Sequence, residues 1–160
     1  MVKKVVLLIL VITCMGLIFF FSSQEAPDSR ETSSAFIYNI VSFLDVRNTL
    51  SEVQIHGICD LLHKFVRTAA HFTIFGLLGF LLLLLFGEYG LSSKRRLIYT
   101  VIVAFLYACS DEIHQSFVPG RSAQISDIIV DTLGALCGGV VGNILLYLIK
   151  KLKGKSHGML

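Results

Sequence analysis

Four long apolar runs constrain this chain more than any other feature of its sequence. Residues 5–21, 69–86 and 128–149 form runs of 17, 18 and 22 residues, and each run contains at most one residue of the types Asp, Glu, His, Lys and Arg. An α-helix rises about 1.5 Å per residue, so about 20 residues cross the roughly 30 Å hydrocarbon core of a bilayer. The remaining run, 97–110, is shorter and must recruit polar residues at one end. The sequence therefore predicts four transmembrane helices.

Composition excludes the main alternatives. Hydrophobic residues make up 54% of the 160 residues and charged residues only 16%, whereas soluble domains carry about 25% charged residues. Intrinsic disorder is excluded because disordered chains have low hydrophobicity. The basic residues cluster at the ends of the apolar runs, so the net charge of +3 does not indicate a nucleic-acid partner. We expect one all-α membrane domain over residues 1–160, a four-transmembrane-helix bundle.

The basic residues predict the orientation of the helices, because cytoplasmic loops carry an excess of Lys and Arg. With the N-terminus in the cytoplasm, nine of the 14 basic residues fall in short cytoplasmic segments, namely Lys3, Lys4, Lys94, Arg95, Arg96, Lys150, Lys151, Lys153 and Lys155. The reverse orientation would place these clusters outside. We therefore predict that both termini are cytoplasmic and that the outer loops are 22–68 and 111–127.

The first apolar run and the loop after it need separate interpretation. The run 5–21 is longer than the 7–15-residue apolar region of a signal peptide and ends without a small-x-small site, so we expect an uncleaved helix. In the loop 22–68, apolar residues recur at helical spacing. This pattern predicts one or two amphipathic helices on the outer leaflet or over the bundle, the second beginning near Thr49, where Thr49 and Glu52 match a capping box.

Polar side chains are concentrated at the predicted outer ends of the helices. Residues 111–121 hold two acids, a histidine, a glutamine and an arginine, and Pro119-Gly120 predicts a turn there. Ionisable groups at membrane depth are costly and usually face the bundle interior in pairs. We therefore expect one outward-facing polar pocket formed by Arg67, His71, Asp111, Glu112, His114, Gln115, Arg121, Asp127 and Asp131.

Each of these residues also has a purely structural interpretation. The set could consist of salt bridges and hydrogen bonds that fix a small bundle. For His71 and Asp131 we favour function, because an idle charge at that depth is costly. The residues Ser22, Ser23 and Gln24 could cap the first helix or belong to the site. For His56, Asp60 and Lys64 we favour a solvated helix face.

Glycines indicate where two helices pack closely. Gly134, Gly138 and Gly142 recur every four residues on the fourth helix, a spacing that lets two backbones approach each other. Gly76 and Gly79 on the second helix could receive this neighbour. We expect contact inside the bundle rather than a homodimer interface.

Three blocks of the sequence resemble the VanZ-like family of small bacterial membrane proteins. The first is the F-F-S-S-Q segment at 20–24, and the second is R-x-x-A-H-F at 67–72, leading to Leu78-Gly79. The third is Y-A-x-x-D-E-x-H-Q-x-F-V-P-G-R at 107–121, followed by Asp127, Asp131 and Gly134. Family members commonly have an acidic-aromatic pair where this chain has Ile74-Phe75, so that acid is absent here.

The resemblance implies a role in the bacterial cell envelope. The family's named member is associated with resistance to teicoplanin, a lipid-bearing glycopeptide antibiotic, in Gram-positive bacteria. On this basis we expect a multi-pass protein of the bacterial plasma membrane whose pocket, including Ser22, Ser23 and Gln24, binds an amphiphilic molecule. Candidates are a membrane lipid, a lipid-linked cell-wall precursor or the lipoglycopeptide, with Arg67 and Arg121 as partners for anionic groups.

An intramembrane hydrolase or transferase acting on a lipid head group is the alternative. Its catalytic candidates are Asp111, Glu112, His114 and Asp131, which could act as general acid and base or bind a divalent metal. The chain lacks H-E-x-x-H, P-loop and G-x-S-x-G motifs, so the cofactor and the reaction stay open. Transport by a monomer is disfavoured, because the polar mouth lies on one side only and the inner half carries no charge at its midplane.

Overall fold

Four helices make up the architecture. The computed structural model describes residues 2–23, 43 and 52–157, with backbone alone at 52, 53, 55, 56, 59–61, 63, 64 and 153–157. In chain order the helices are α1 (Val2–Ser22), α2 (Glu52–Gly87), α3 (Ser93–Gln115) and α4 (Ile125–His157), and the described residues contain no strand. The predicted all-α fold is confirmed.

Each helix is long and apolar enough to cross a membrane. The candidate spans are Val2–Ser22, Phe65–Gly87, Ser93–Gln115 and Ile125–Leu152. The third span recruits polar residues at both ends, as its short apolar run requires. Four such spans fit a multi-pass membrane protein.

Every helix extends beyond its predicted apolar run, and the extensions of α2 and α3 carry residues of the predicted pocket. α2 begins at Glu52, so residues 52–68, predicted as outer loop with a helix beginning near Thr49, are continuous with the second span. α3 extends through 111–115 because the polar side chains of Asp111 and Gln115 form hydrogen bonds inside the bundle. The amphipathic loop helices were predicted for a segment that lies mostly outside the described residues.

The core is built from one buried stripe on each helix. Ile18 of α1, Phe75 and Leu78 of α2, Ala104 of α3 and Ala135 of α4 are each at most 1% exposed. Most other large apolar side chains point outward, and 22–39% of each candidate span is buried. A water-soluble protein would not expose so continuous an apolar surface, whereas lipid tails solvate it.

The closest helix pair is α2 with α4, and glycines make this approach possible. A Cβ atom at Gly138 would overlap the carbonyl oxygen of Gly76, and one at Gly79 would overlap the backbone of Ala135. The predicted glycine contact inside the bundle is confirmed. It brings the start of α4 alongside the middle of α2, where the polar residues of both helices face each other.

The two ends of the bundle differ in chemistry. At one end Lys4 of α1 lies 4.4 Å from the ring of Tyr89 in the α2–α3 turn, near Lys94, Arg95 and Arg96 at the start of α3. We call the opposite end the polar end; it contains Ser22, Arg67, Asp111, Gln115 and Asp127.

Candidate functional site

The polar end continues the buried stripes of the core. On α3 the buried positions Thr100, Ala104, Ala108, Asp111 and Gln115 follow each other at intervals of three or four residues. The helix therefore turns Asp111 and Gln115 towards the same interior as the two alanines. On α1 the buried stripe ends in the same way at Ser22.

The first hydrogen-bond network joins α1 to α3. Ser22 Oγ donates to Asp111 Oδ2 at 2.8 Å, and Gln115 Nε2 donates to the same oxygen at 2.9 Å. Gln115 Nε2 also lies 3.2 Å from Ser22 Oγ. Because Ser22 is fully buried and Asp111 is 3% exposed, these bonds hold the carboxylate away from solvent.

The α3–α4 connection closes over this network. It turns at Gly120, whose φ of +76° is a conformation that favours glycine. Arg121 then reaches back, so that its Nη1 donates to Gln115 Oε1 at 3.2 Å and its Nη2 to the Phe21 carbonyl at 3.4 Å. Burial lowers the pKa of the Arg121 guanidinium, and repulsion from Arg67 lowers it further. The chain therefore turns where the sequence predicts a turn, and this turn brings Arg121 into contact with Gln115.

Glu112 and His114 point to different neighbours. Glu112 accepts a hydrogen bond from the backbone N–H of Gln124 and so tethers the chain just before α4. His114 Nε2 lies 3.0 Å from Ser23 Oγ, and its ring stacks on Phe19 with 4.1 Å between the centroids. His114 therefore fastens α3 to the outer surface of α1.

The second half of the site lies between α2 and α4. Arg67 Nη2 donates to Asp127 Oδ2 at 2.9 Å, and both side chains are partly exposed. One turn deeper, His71 Nδ1 lies 3.8 Å from Asp131 Oδ2, and Asp131 is 2% exposed. Beside these residues is a cavity of about 10 Å³, room for about one water molecule.

The two halves meet at three side chains. Each of His71, Asp111 and Asp131 offers one atom that can ligate a metal ion, and these three atoms lie within 4.8 Å of one another. The Oδ1 atoms of Asp111 and Asp131 are buried and have no hydrogen-bond partner among the residues that the structure describes. Two carboxylates and an imidazole in this arrangement can bind a cation or transfer a proton.

The structure places nearly all of the predicted site residues at the polar end. Arg67, His71, Glu112, Asp127 and the residues of the first network lie there, and Ser23 and His114 lie on its α1 side. Gln24 lies outside the described residues, and nothing is described for the side chains of His56, Asp60 and Lys64.

Sequence reasoning missed three contributors. Phe19 stacks on His114, the backbone of Gln124 holds Glu112, and the Tyr107 hydroxyl donates to the Met15 carbonyl at 2.6 Å. Tyr107 has a signal in the sequence, since it opens the third block that resembles the VanZ-like family. Phe19 has none, because it reads as one more apolar residue of a transmembrane run.

Comparison with known proteins identifies the family. The family model described as VanZ/LLP1 matches residues 7–149. The chain belongs to the VanZ/LLP1 family. The VanZ/LLP1 match includes every residue placed above at the polar end, and it confirms the resemblance inferred from the sequence blocks. No curated protein and no solved structure gives a significant match.

Proposed function

We propose that this VanZ/LLP1 protein binds an amphiphilic molecule of the bacterial cell envelope at its polar end, with that end on the outside of the plasma membrane. The observation that carries the proposal is the convergence of charged and polar side chains from all four helices at one end of the bundle, where they pair with one another in and near its interior. The family name agrees with an association with teicoplanin resistance. A lipid-linked wall precursor, a membrane lipid or a lipoglycopeptide has the required mixture of polar head and apolar tail.

The surroundings of the polar end suit such a ligand. Arg67 is 38% exposed and can donate hydrogen bonds to a phosphate or carboxylate. Phe117 and Ile125, which flank the α3–α4 connection, are about four-fifths exposed. The cavity near Arg67 is too small for a sugar or a phosphate group. The head group would therefore contact the mouth of the site, with the tail along the exposed apolar side chains.

Antibiotic susceptibility tests this proposal directly. A sensitive Gram-positive host would carry empty vector, the wild type, Asp111→Asn or Glu88→Gln, with equal amounts of protein verified in the membrane. We expect the wild type to raise the inhibitory concentration of teicoplanin but not of vancomycin, which lacks the lipid tail. Asp111→Asn should abolish the effect, because Asp111 organises the network between α1 and α3.

Glu88→Gln is the control, because Glu88 is exposed at the opposite end of the bundle. It should behave as the wild type. If the wild-type protein is in the membrane and teicoplanin resistance does not change, the proposed link to the antibiotic is wrong. If Asp111→Asn is as protective as the wild type, the polar end is not where the function lies.

Hydrolysis or transfer at a lipid head group is the second candidate. The observation that favours it is the convergence of His71, Asp111 and Asp131, with an unpaired oxygen on each carboxylate. Purified protein would be incubated with a phospholipid and with a lipid-linked wall precursor, and head-group release would be measured by mass spectrometry. We expect release by the wild type and none by Asp131→Asn. Equal release by both would exclude these residues from catalysis.

A further inference from the structure

The centre of the polar end carries more negative charge than its neighbours balance. Asp111 and Asp131 are both nearly fully buried. Among the described residues, the one ionic partner within 4.0 Å of either carboxylate is His71, which faces Asp131. Arg67 is paired with Asp127, and Arg121 donates to Gln115 and Phe21. A buried carboxylate without a cation is unfavourable, so the arrangement calls for a further positive charge.

Each carboxylate also keeps one oxygen free. Asp111 Oδ2 accepts from Ser22 and from Gln115, whereas Asp111 Oδ1 has no partner among the described residues. Asp131 Oδ2 lies 3.8 Å from His71 Nδ1, which is longer than a hydrogen bond, and Asp131 Oδ1 likewise has no partner in the described part of the chain. Buried carboxylate oxygens normally have a partner, so the two free oxygens indicate that a group outside the described residues completes them.

The spacing of the donor atoms fits a single metal ion. Two atoms bound to one ion at about 2.1 Å lie at most about 4.2 Å apart. The 3.8 Å between His71 Nδ1 and Asp131 Oδ2 already satisfies this limit. All three ligand atoms lie within 4.8 Å of one another. A small side-chain rotation would bring the widest pair within the limit of about 4.2 Å.

We propose that His71, Asp111 and Asp131 together bind one divalent transition-metal cation, Zn²⁺ or Mn²⁺. One imidazole nitrogen with two carboxylate oxygens suits these ions, whereas Ca²⁺ takes six to eight oxygen ligands. Three protein ligands leave at least one coordination position open to solvent or to a substrate oxygen. The cavity of about 10 Å³ beside His71 and Asp131 has room for one water molecule there. This inference goes beyond the proposed ligand and does not depend on it.

Ser22 and Gln115 act on this site through Asp111. Their two hydrogen bonds to Oδ2 fix the carboxylate and leave Oδ1 as the oxygen available to the ion. Partners that orient a ligating side chain typically change metal affinity by about 10- to 100-fold. Ser22→Ala should therefore weaken metal binding by about tenfold without removing a ligand.

Metal binding would be measured on the full-length protein in detergent. The protein is first stripped of metal with a chelator. It is then titrated with Zn²⁺ and, separately, with Mn²⁺ in a calorimeter, and the bound metal is quantified after gel filtration. We expect about one tightly bound ion per chain, since the three donors form one site. The ion should also raise the melting temperature by about 5 °C at saturating concentration, because it binds the folded state.

The variants locate the ion. Asp131→Asn and His71→Ala each remove one donor and should lower the affinity at least about tenfold, as should Asp111→Asn. Asp127→Asn is the matched control, because it removes a carboxylate from the same helix one turn away, where it pairs with Arg67. It should bind the ion as the wild type does.

Two results would overturn the proposal. The first is a wild-type protein, monodisperse on gel filtration, that binds neither ion. The second is binding that Asp127→Asn weakens as much as Asp131→Asn does. Neither result depends on antibiotic resistance, so failure of the metal site and failure of the proposed ligand can be told apart.

Discussion

Two adjacent serines show how much the structure adds at the scale of single residues. Ser22 is fully buried and bonded to Asp111, whereas Ser23 is exposed, donates to the Phe19 carbonyl one turn back and contacts His114 Nε2. In the sequence both are possible helix caps. Only the structure shows that Ser22 holds a buried carboxylate and that the contacts of Ser23 lie at the surface.

This difference leads to a prediction about stability. Ser22→Ala removes a buried hydrogen bond to a carboxylate and should lower the free energy of unfolding by about 1–3 kcal/mol. Ser23→Ala should lower it by only about 0.5 kcal/mol, because the contacts of Ser23 with Phe19 and His114 are exposed to solvent. Unfolding of the detergent-solubilised protein followed by circular dichroism measures both. Equal effects would show that Ser22 does not hold the carboxylate.

Asp131 separates the functional interpretation of the buried acids from the structural one. If its carboxylate serves a ligand or an ion, Asp131→Asn should stabilise the metal-free protein by about 1 kcal/mol, because it removes an underpaired buried charge. The same variant should lose function. If Asp131 is instead a structural pairing partner of His71, the substitution should lower stability. Thermal unfolding after chelator treatment decides between the two.

Residue identities at the polar end could be predicted, but their pairing could not. The four-residue spacing of Asp127 and Asp131 and of Arg67 and His71 placed each pair on one helix face. Which face of α2 meets which face of α4 depends on the depth to which the glycines let the helices approach. That register sets Arg67 against Asp127 and His71 against Asp131, and it is a tertiary property.

At the scale of the helix, α3 extends past the boundary that its composition predicts. The change from apolar to polar residues predicts an exit from the membrane at residue 110, whereas α3 continues to Gln115. The interval of three or four residues that begins at Thr100 and Ala104 nevertheless continues through Asp111 and Gln115. The spacing of the buried positions therefore indicates where α3 ends, whereas the average polarity of residues 111–115 suggests a loop.

The glycine contact between α2 and α4 gives a prediction at this scale. Gly138→Ala places a methyl group against the carbonyl oxygen of Gly76, so the helices must separate, and unfolding should become easier by about 1–3 kcal/mol. Gly16→Ala is the matched control on α1, where a Cβ atom meets nothing within 4 Å. It should be neutral or stabilising by up to about 1 kcal/mol. Equal melting temperatures for the two variants would contradict the close packing.

At the scale of the whole molecule, the orientation in the membrane is the property still to be measured. We predict that the polar end faces outward. In a chain whose four cysteines are replaced by serine, Ser122→Cys marks the polar end and Ser92→Cys the opposite end, both at exposed positions. A membrane-impermeant maleimide added to intact cells should label the cysteine at 122 and not the one at 92. The reverse pattern would invert the topology.

The number of helices and the family could be predicted from the sequence, since each depends on local pattern alone. The lengths of the apolar runs predict the four spans, and the three sequence blocks indicate the family. The sequence predicts that polar groups gather at one end of the bundle, but it does not predict which of them meet. The meeting of His71 from α2 with Asp111 from α3 brings together residues 40 positions apart, which spacing within a single helix cannot predict.

The contacts of α1 have a consequence for how the chain is assembled after insertion. Lipid tails are as apolar as the helix surfaces, so burial supplies little attraction between inserted helices. The side-chain hydrogen bonds that fasten α1 to α3, from Ser22 to Asp111 and from Tyr107 to Met15, lie at or towards the polar end. Docking of the first helix therefore supplies the Ser22 hydrogen bond that holds the Asp111 carboxylate. A newly made chain whose first helix has not docked leaves Asp111 without this partner, so the site reaches its final form only when the bundle is correctly put together.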